Sequence, residues 1–219
     1  RIDGAGKKVT RSDNCRVSDL SVSSDNLTFT YEAKSLPYPI DTSYYDNEKH
    51  TQADALSVIP FMDEMNYEGL SVSGLSDGYY GLTIGGEFIG RFTARELERG
   101  INMALLQNTP QYKQAMKIRQ MNEERWLKER KMREFYWVEY NLMRKTGMLW
   151  ACNEAAVDTL RKYRPHDIFL QWNGDLWLQY MHKGIREDCV NEQQDLVNQI
   201  YEQNKPIPLR IEIKKFTDL

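Results

Sequence analysis

The chain has 219 residues, of which 41% are hydrophobic and 28% are charged, and its formal net charge is -3. Basic and acidic residues are interleaved without a basic block, so the composition gives no reason to expect a nucleic-acid partner. No apolar run reaches the roughly 18 residues that a membrane-spanning helix needs. The three cysteines, Cys15, Cys152 and Cys189, lack the spacing of a zinc site or a redox pair, and we expect no metal and no cofactor.

The first ninety residues are predicted to form mainly β-strands. In CRVSDLSVS and NLTFTYEA, apolar residues alternate with polar ones, and SSDN between them predicts the turn of a hairpin. A second group of strands is predicted in LSVSGL, YYGLTI and EFIGRF, with Gly85 and Gly86 as a two-residue hairpin turn. The proline-containing segment between the two groups is predicted to be a long connection with a short helix at 61–67.

The pattern changes to a helical period at Thr93. Thr93-Ala-Arg-Glu96 has the spacing of a capping box, in which each end residue binds the backbone amide of the other. The following apolar residues would then share one face of a helix. These residues are Leu97, Ile101, Ala104 and Leu105.

A second and much longer helix is predicted from Pro110 to about Thr146. Thr109 is a suitable N-cap, proline is favoured at the first helical position, and Gly147 is a suitable residue to end the helix. Its first half is rich in Lys, Arg and Glu, which indicates either a solvated face with ion pairs or a docking face for another domain. Its second half, 135–150, is apolar on nearly all sides and is therefore predicted to be buried on more than one side.

Helical patterns return at 153–162 and 189–203, and the chain closes with IPLRIEIKKF, whose alternation predicts an edge-type strand that returns to a sheet. The predicted fold class is therefore α+β, with antiparallel strands followed by helices. The predicted organisation is a β-rich part at 1–92 and a helical part with the C-terminal strand at 93–219, packed as one unit.

The segment IFLQWNGDLWLQYMH carries the candidate binding residues. It brings Trp172, Trp177 and Tyr180 close together around Asn173-Gly174, where a turn is predicted. Aromatic rings at a turn could stack on a sugar, whereas the alternative is that they cover the apolar half of the long helix as core residues.

The histidines give weaker hypotheses. His50 with Asp46, Glu48 and Asp54 could be drawn as a metal site, but a charged surface loop explains the same residues. His166 and Asp167 could be a base and the group that orients it, although adjacent residues rarely face each other in this way. We assign no catalytic residue and no metal ligand.

The order of several unusual segments resembles the C-terminal half of a group of large bacterial SGNH/GDSL-type hydrolases. These segments are KSLPYPID, FMDEMNYEGLSVSGL, YYGLTIGGEFIGRFTARELERGINMAL and NTPQYKQAMKIRQMNEERWLKERKMREF. The resemblance covers about residues 1–145 and is loose over 150–219. It implies a catalytic α/β domain with an early Gly-Asp-Ser block for the nucleophile and a late Asp-x-x-His block for acid and base.

Neither block occurs in this chain, so the resemblance carries no catalytic residue over to it. It implies the non-catalytic C-terminal region of a serine esterase, which braces the catalytic domain and shapes its cleft. The parent reaction would be ester hydrolysis, such as deacylation of a polysaccharide. The partner would be an SGNH catalytic domain, in the same polypeptide or cleaved from it, and the location would be secreted or periplasmic.

Two other functions stay open. The chain could be a carbohydrate-binding module that uses its aromatic residues, which an exposed aromatic strip would favour. It could also be a structural or oligomerisation domain built on the long helix. A large exposed apolar patch at 135–150 would favour this last function or the bracing role.

Overall fold

The computed structural model describes residues 1–41, 44–45 and 50–216, with side chains for 1–41 and 51–216. Twelve strands lie within these residues: β1 (Ile2–Asp3), β2 (Lys8–Val9), β3 (Cys15–Val22), β4 (Asn26–Ala33), β5 (Tyr44–Tyr45), β6 (His50–Thr51), β7 (Gly69–Leu70), β8 (Val72–Ser73), β9 (Tyr79–Ile84), β10 (Glu87–Thr93), β11 (Ile101–Asn102) and β12 (Leu209–Lys215). The α-helices there are α1 (Phe61–Glu64), α2 (Ala94–Arg99), α3 (Pro110–Val138), α4 (Glu154–Tyr163), α5 (Ile168–Tyr180) and α6 (Lys183–Gln203). The α+β prediction is therefore confirmed.

The chain divides into two compact units. The sheet unit comprises Arg1–Arg119 and Gln203–Leu219, and the helical unit comprises Gln120–Glu202. The sheet unit continues past residue 92, through α2 and into the first turns of α3, and the boundary at residue 92 stays a prediction. No helix within the described part of the chain is long and apolar enough to cross a membrane.

The centre of the sheet unit is a five-stranded antiparallel sheet with the order β10-β9-β12-β4-β3. The final strand β12 pairs with β4 on one side and β9 on the other, so the prediction of an edge strand was wrong. Its alternation was read correctly, because Leu209, Ile211 and Ile213 are all buried in the core. Alternation of apolar and polar residues indicates that one face of a strand is buried, but it does not indicate how many neighbouring strands pair with its edges.

Both predicted hairpins are present. Strands β3 and β4 pair in antiparallel register around the SSDN turn, and β9 and β10 pair around Gly85 and Gly86. The two glycines have φ values of 58° and 85°, which a two-residue hairpin turn requires and most other residues disfavour. Three short strands form a separate sheet of order β2-β1-β8, in which β1 and β8 are parallel.

Helix α2 begins with the predicted capping box, since Thr93 Oγ1 accepts from the Glu96 amide and Glu96 accepts from the Thr93 amide. The helix is shorter than predicted, because it ends at Gly100, whose φ is 98°. Ile101 then enters strand β11, which pairs with β7. The predicted helical face through Ile101, Ala104 and Leu105 is therefore wrong. The predicted short helix after residue 60 is present as the single turn α1.

The long helix is confirmed in nearly the predicted length. The hydroxyl of Thr109 accepts from the Tyr112 amide at 3.3 Å, and α3 then runs to Val138. It continues as one π-helical turn, Glu139–Met143, and a 3₁₀ turn, Arg144–Thr146. Gly147 ends it in the left-handed conformation, with a φ of 75°.

The helical unit packs the apolar end of this long helix against α4, α5 and α6. Its core includes Phe135, Val138, Met143, Leu160 and Trp177, each at most 1% exposed. Helix α5 was not predicted, because Asn173-Gly174 was read as a turn, and these residues instead lie within that helix. A Cβ atom on Gly174 would lie 3.1 Å from the Arg164 Nε atom, so glycine makes room here for a close side chain.

Candidate functional site

The His166–Asp167 pair is not arranged as a base and its orienter. Asp167 is the N-cap of α5, and its Oδ1 atom accepts from the amides of Phe169 at 2.8 Å and Leu170 at 3.2 Å. His166 is exposed in the preceding 3₁₀ turn. The side chains of Asp46, Glu48 and His50 lie outside the described residues, and Asp54 caps a 3₁₀ helix together with Thr51.

The three predicted binding residues lie in different environments. Trp172 is 67% exposed on α5, whereas Trp177 is fully buried and Tyr180 is 6% exposed. Trp177 and Tyr180 belong to the core of the helical unit. A core position was the alternative to sugar binding that the sequence left open for these rings. Trp172 is therefore the member of this set whose ring is available to a ligand.

A pocket of about 350 Å³ opens on the helical unit and is called the helical-unit pocket here. One side comes from the end of the long helix, and the other comes from the turn between α4 and α5 together with the first turn of α5. Its lining combines two aromatic rings with polar and basic groups. Its aromatic, polar and charged lining residues are Trp137, Asn141, Lys145, Thr146, Tyr163, His166 and Asp167.

An aromatic strip leads from this pocket onto the surface. The ring centroids of Trp137 and Phe169 are 5.2 Å apart, and those of Phe169 and Trp172 are 5.5 Å apart. Phe169 is 48% exposed and Trp172 is 67% exposed, so both rings are accessible although they contact each other. Sequence reasoning identified Trp172 but missed the strip, because contact between Trp137 and Phe169 depends on tertiary packing.

A larger pocket, of about 460 Å³, lies on the sheet unit and is called the sheet-unit pocket. Its lining includes Tyr31, Glu68 and Arg99. Tyr31 donates a 3.0 Å hydrogen bond to Glu68, and Gln111 Nε2 donates to both carboxylate oxygens at 3.2 and 3.3 Å. Glu68 thus presents a carboxyl group that is held by neutral donors.

Burial raises the pKa of Glu68, and the hydrogen bonds from Gln111 and Tyr31 offset this rise only in part. Burial, followed by the charge of Glu68, also raises the pKa of the Tyr31 hydroxyl. A carboxyl group with a raised pKa in a pocket is a candidate for proton exchange or for binding a cationic group. Motif analysis missed Glu68, because nothing in the local sequence distinguishes it from other glutamates.

Cys152 and His182 form a contact that sequence reasoning also missed. Cys152 Sγ lies 3.4 Å from His182 Nδ1, and both side chains are exposed. A catalytic nucleophile also needs a third group that orients its base. Among the described side chains, His182 has no second hydrogen-bond partner, so this pair lacks that group.

No group of three or more His, Cys, Asp or Glu side chains in the described part of the chain is placed to hold a metal ion. The described residues therefore offer two pockets and a cysteine–histidine contact. None of them brings a serine, a base and an orienting acid together.

Comparison with known proteins points to one group. A sequence model for a family described as the diltiazem deacetylase C-terminal helical domain matches residues 116–205. Among solved structures, the chain is similar to BT4096, a gut microbial diltiazem-metabolizing enzyme, with a TM-score of 0.91 and 35% sequence identity. No curated protein matches the sequence.

The similarity to BT4096 covers 98% of this chain and 49% of that chain, so this chain spans about half the length of that enzyme. The region similar to that enzyme therefore includes the residues after 150. Over nearly its whole length, the chain is similar to half of a diltiazem-metabolizing enzyme.

Proposed function

We propose that the chain is the non-catalytic C-terminal region of an SGNH/GDSL-type esterase, where it braces the catalytic domain and shapes access to its cleft. The observation that carries this proposal is the match of residues 116–205 to a domain described as C-terminal and helical in a deacetylase. The parent reaction is hydrolysis of an acyl ester, with a polysaccharide ester as the substrate class. The partner is an SGNH catalytic domain, in the same polypeptide or cleaved from it, in a secreted or periplasmic location.

The coverage of the solved enzyme supports this proposal. About half of BT4096 has no counterpart in this chain, which leaves room for a separate catalytic domain. The sequence has neither a Gly-Asp-Ser block nor an Asp-x-x-His block, so it lacks the motifs that supply the serine nucleophile, the base and the acid of this hydrolase type.

The surface of the helical unit supports the bracing role. Tyr136, Tyr140 and Trp150 are 39%, 45% and 46% exposed. The ring centroids of Tyr136 and Tyr140 lie 6.0 and 5.9 Å from that of Trp150. Clustered exposed aromatic residues are typical of surfaces that contact another protein domain. By contrast, several charges along α3 pair within that helix, as in Arg125–Glu129 at 3.1 Å and Arg130–Glu134 at 2.7 Å, and such pairs are typical of a solvated face.

An esterase assay tests the proposal directly. The isolated chain is incubated with p-nitrophenyl acetate and, separately, with a fluorophosphonate that labels activated serines. We expect no turnover above a heat-denatured control and no labelled serine, whereas the natural protein containing any upstream Gly-Asp-Ser region should show both. Stoichiometric labelling of a serine in the isolated chain, with turnover, would place the chemistry in this chain and overturn the proposal.

A further inference from the structure

We propose that the helical-unit pocket binds an acidic sugar unit, a pyranose that carries a carboxylate, within a glycan. The proposal goes beyond the bracing role and does not depend on it, because the helical unit itself contains all the residues involved. Four features of this pocket carry the argument, and they are its size, its aromatic rings, its hydrogen-bonding groups and its charge.

The size and walls of the pocket fit a small ligand. Its volume of about 350 Å³ falls within the range of small-molecule sites, which begins at roughly 300 Å³. Trp137 and Tyr163 both line it, and Tyr163 is 41% exposed. The C–H face of a pyranose is apolar, so it packs on the face of an aromatic ring and displaces water from both surfaces.

The aromatic strip extends this platform beyond the pocket. From Trp137 the strip passes through Phe169 to Trp172, with centroid spacings of 5.2 and 5.5 Å. A single buried sugar would need only the pocket, whereas a row of accessible rings suits further units of the same chain. The ligand inferred is therefore a glycan segment and not a free monosaccharide.

The polar groups leave acceptors free for sugar hydroxyls. Asn141 Nδ2 donates to the Trp137 carbonyl at 2.9 Å, so its Oδ1 atom is available to accept. The Thr146 hydroxyl donates its proton within its own helix, to Leu142 O at 3.0 Å or Met143 O at 3.2 Å, which leaves its oxygen as an acceptor.

Asn141 comes from the π-helical turn Glu139–Met143. Single π-helical turns within α-helices are frequent at functional sites. Such a turn rotates the following side chains relative to a regular helix, so the side of the long helix that lines this pocket differs from the side that an unbroken α-helix would present.

The charges favour a carboxylate on the ligand. Lys145 lines the pocket and is exposed, and it takes part in none of the ion pairs among the described residues. The acidic residue of the lining is Asp167, whose charge is balanced by two amides at the N-terminus of α5. A ligand carboxylate near Lys145 would gain a charge-assisted hydrogen bond.

Isothermal titration calorimetry of the isolated chain tests the proposal. The two ligands are trigalacturonate and the neutral trisaccharide α-1,4-galactotriose. We expect trigalacturonate to bind at least roughly tenfold more tightly than the neutral trisaccharide, which is the ratio that one charge-assisted hydrogen bond supports. Lys145→Gln should remove this preference, and Tyr163→Ala should weaken both ligands about tenfold. Asp167→Asn, which retains an N-cap side chain, should strengthen trigalacturonate binding alone.

Two substitutions in the same unit serve as matched controls. Lys183→Gln removes another exposed lysine, and Tyr201→Ala removes another exposed tyrosine, and neither residue lines the pocket. Both controls should bind as the parent chain does, and thermal melts should show that all variants fold. Absent binding, equal affinity for the two trisaccharides, or equal losses in the controls would each overturn the proposal. If Trp172→Ala instead disturbs only the association with an esterase catalytic domain, the strip is a protein contact and the glycan site is refuted.

Discussion

The indole Nε1 of Trp177 donates a 2.8 Å hydrogen bond to Glu139 Oε1, and both side chains are at most 1% exposed. The other carboxylate oxygen of Glu139 accepts from the Trp150 amide, also at 2.8 Å. A buried carboxylate costs free energy unless its oxygens accept hydrogen bonds. The two donors therefore account for a buried glutamate within the π-helical turn, and they join three separate segments of the helical unit.

Trp177→Ala should destabilise the helical unit by about 3–5 kcal/mol, because it removes a buried ring and leaves Glu139 with an unpaired oxygen. Trp172→Ala, at an exposed position, should change the free energy of unfolding by less than about 1 kcal/mol. Urea unfolding followed by circular dichroism measures both values. Similar losses in the two variants would contradict the assignment of Trp177 to the core and Trp172 to the surface.

The capping box of α2 is a second test. Thr93→Ala should lower the free energy of unfolding by about 1 kcal/mol, because the Glu96 amide loses its acceptor. Glu96→Ala should cost less, since the hydroxyl of Thr93 would still cap the helix. A denaturant melt in which Thr93→Ala differs from the parent by less than about 0.3 kcal/mol would show that this cap contributes little to stability.

Gly147 and Gly184 provide a matched pair of substitutions. Beyond the neighbouring backbone, neither has an atom within 4 Å of the place where a Cβ would stand, so any cost of alanine comes from the local backbone alone. Gly147 has a φ of 75°, and Gly147→Ala should therefore destabilise by about 1–2 kcal/mol. Gly184→Ala, within α6, should be neutral or stabilising by up to about 1 kcal/mol. Thermal unfolding of the two variants measured together gives the sign of each effect, and a stabilising Gly147→Ala would contradict the left-handed end of the long helix.

The pH dependence of stability tests the environment of Glu68. The pKa of Glu68 is raised in the folded chain, so this side chain stabilises the folded state at pH values below its pKa in the unfolded chain, about 4.3. The stabilisation is lost as the pH rises through the pKa of the folded chain. Relative to Glu68→Gln, the parent chain should therefore lose stability as the pH rises above the unfolded pKa of Glu68 and through its raised folded pKa.

Tyr31→Phe removes one of the donors that lower the Glu68 pKa and should move this loss to higher pH. Urea midpoints at several pH values, measured for the parent and both variants, give the comparison. Parallel curves for the parent and Glu68→Gln would show that burial does not perturb this carboxyl group.

Local signals predicted the fold where they act within a few residues. The capping box at Thr93, the glycine hairpin turn and the long helix from Pro110 were all read correctly, because caps, turns and period are properties of short segments. The turn predicted at Asn173-Gly174 was wrong. Glycine is required at this place within helix α5 because the side chain of Arg164, ten residues away, packs against it. The central place of β12 could not be predicted either, because strand order depends on contacts between distant segments.

The candidate sites were less predictable than the fold. Trp172 was identified from its residue type, but its partners Trp137 and Phe169 were not, because they reach it only through packing. Glu68 was missed for a related reason, since its raised pKa comes from burial beside Tyr31 and Gln111. Residue type indicates which groups can act, while burial and neighbours determine which of them are available.

The central position of β12 has a consequence for synthesis. Strands β4 and β9 are made early, but the strand that lies between them begins at Leu209, 116 residues after β10 ends at Thr93. At translation rates of about 5–20 residues per second, the β9–β10 hairpin would wait roughly 6–23 seconds with an unpaired strand edge, and the earlier β3–β4 hairpin would wait longer. During that interval the nascent chain exposes two edges that can pair with other molecules, and truncation before Leu209 would make this exposure permanent.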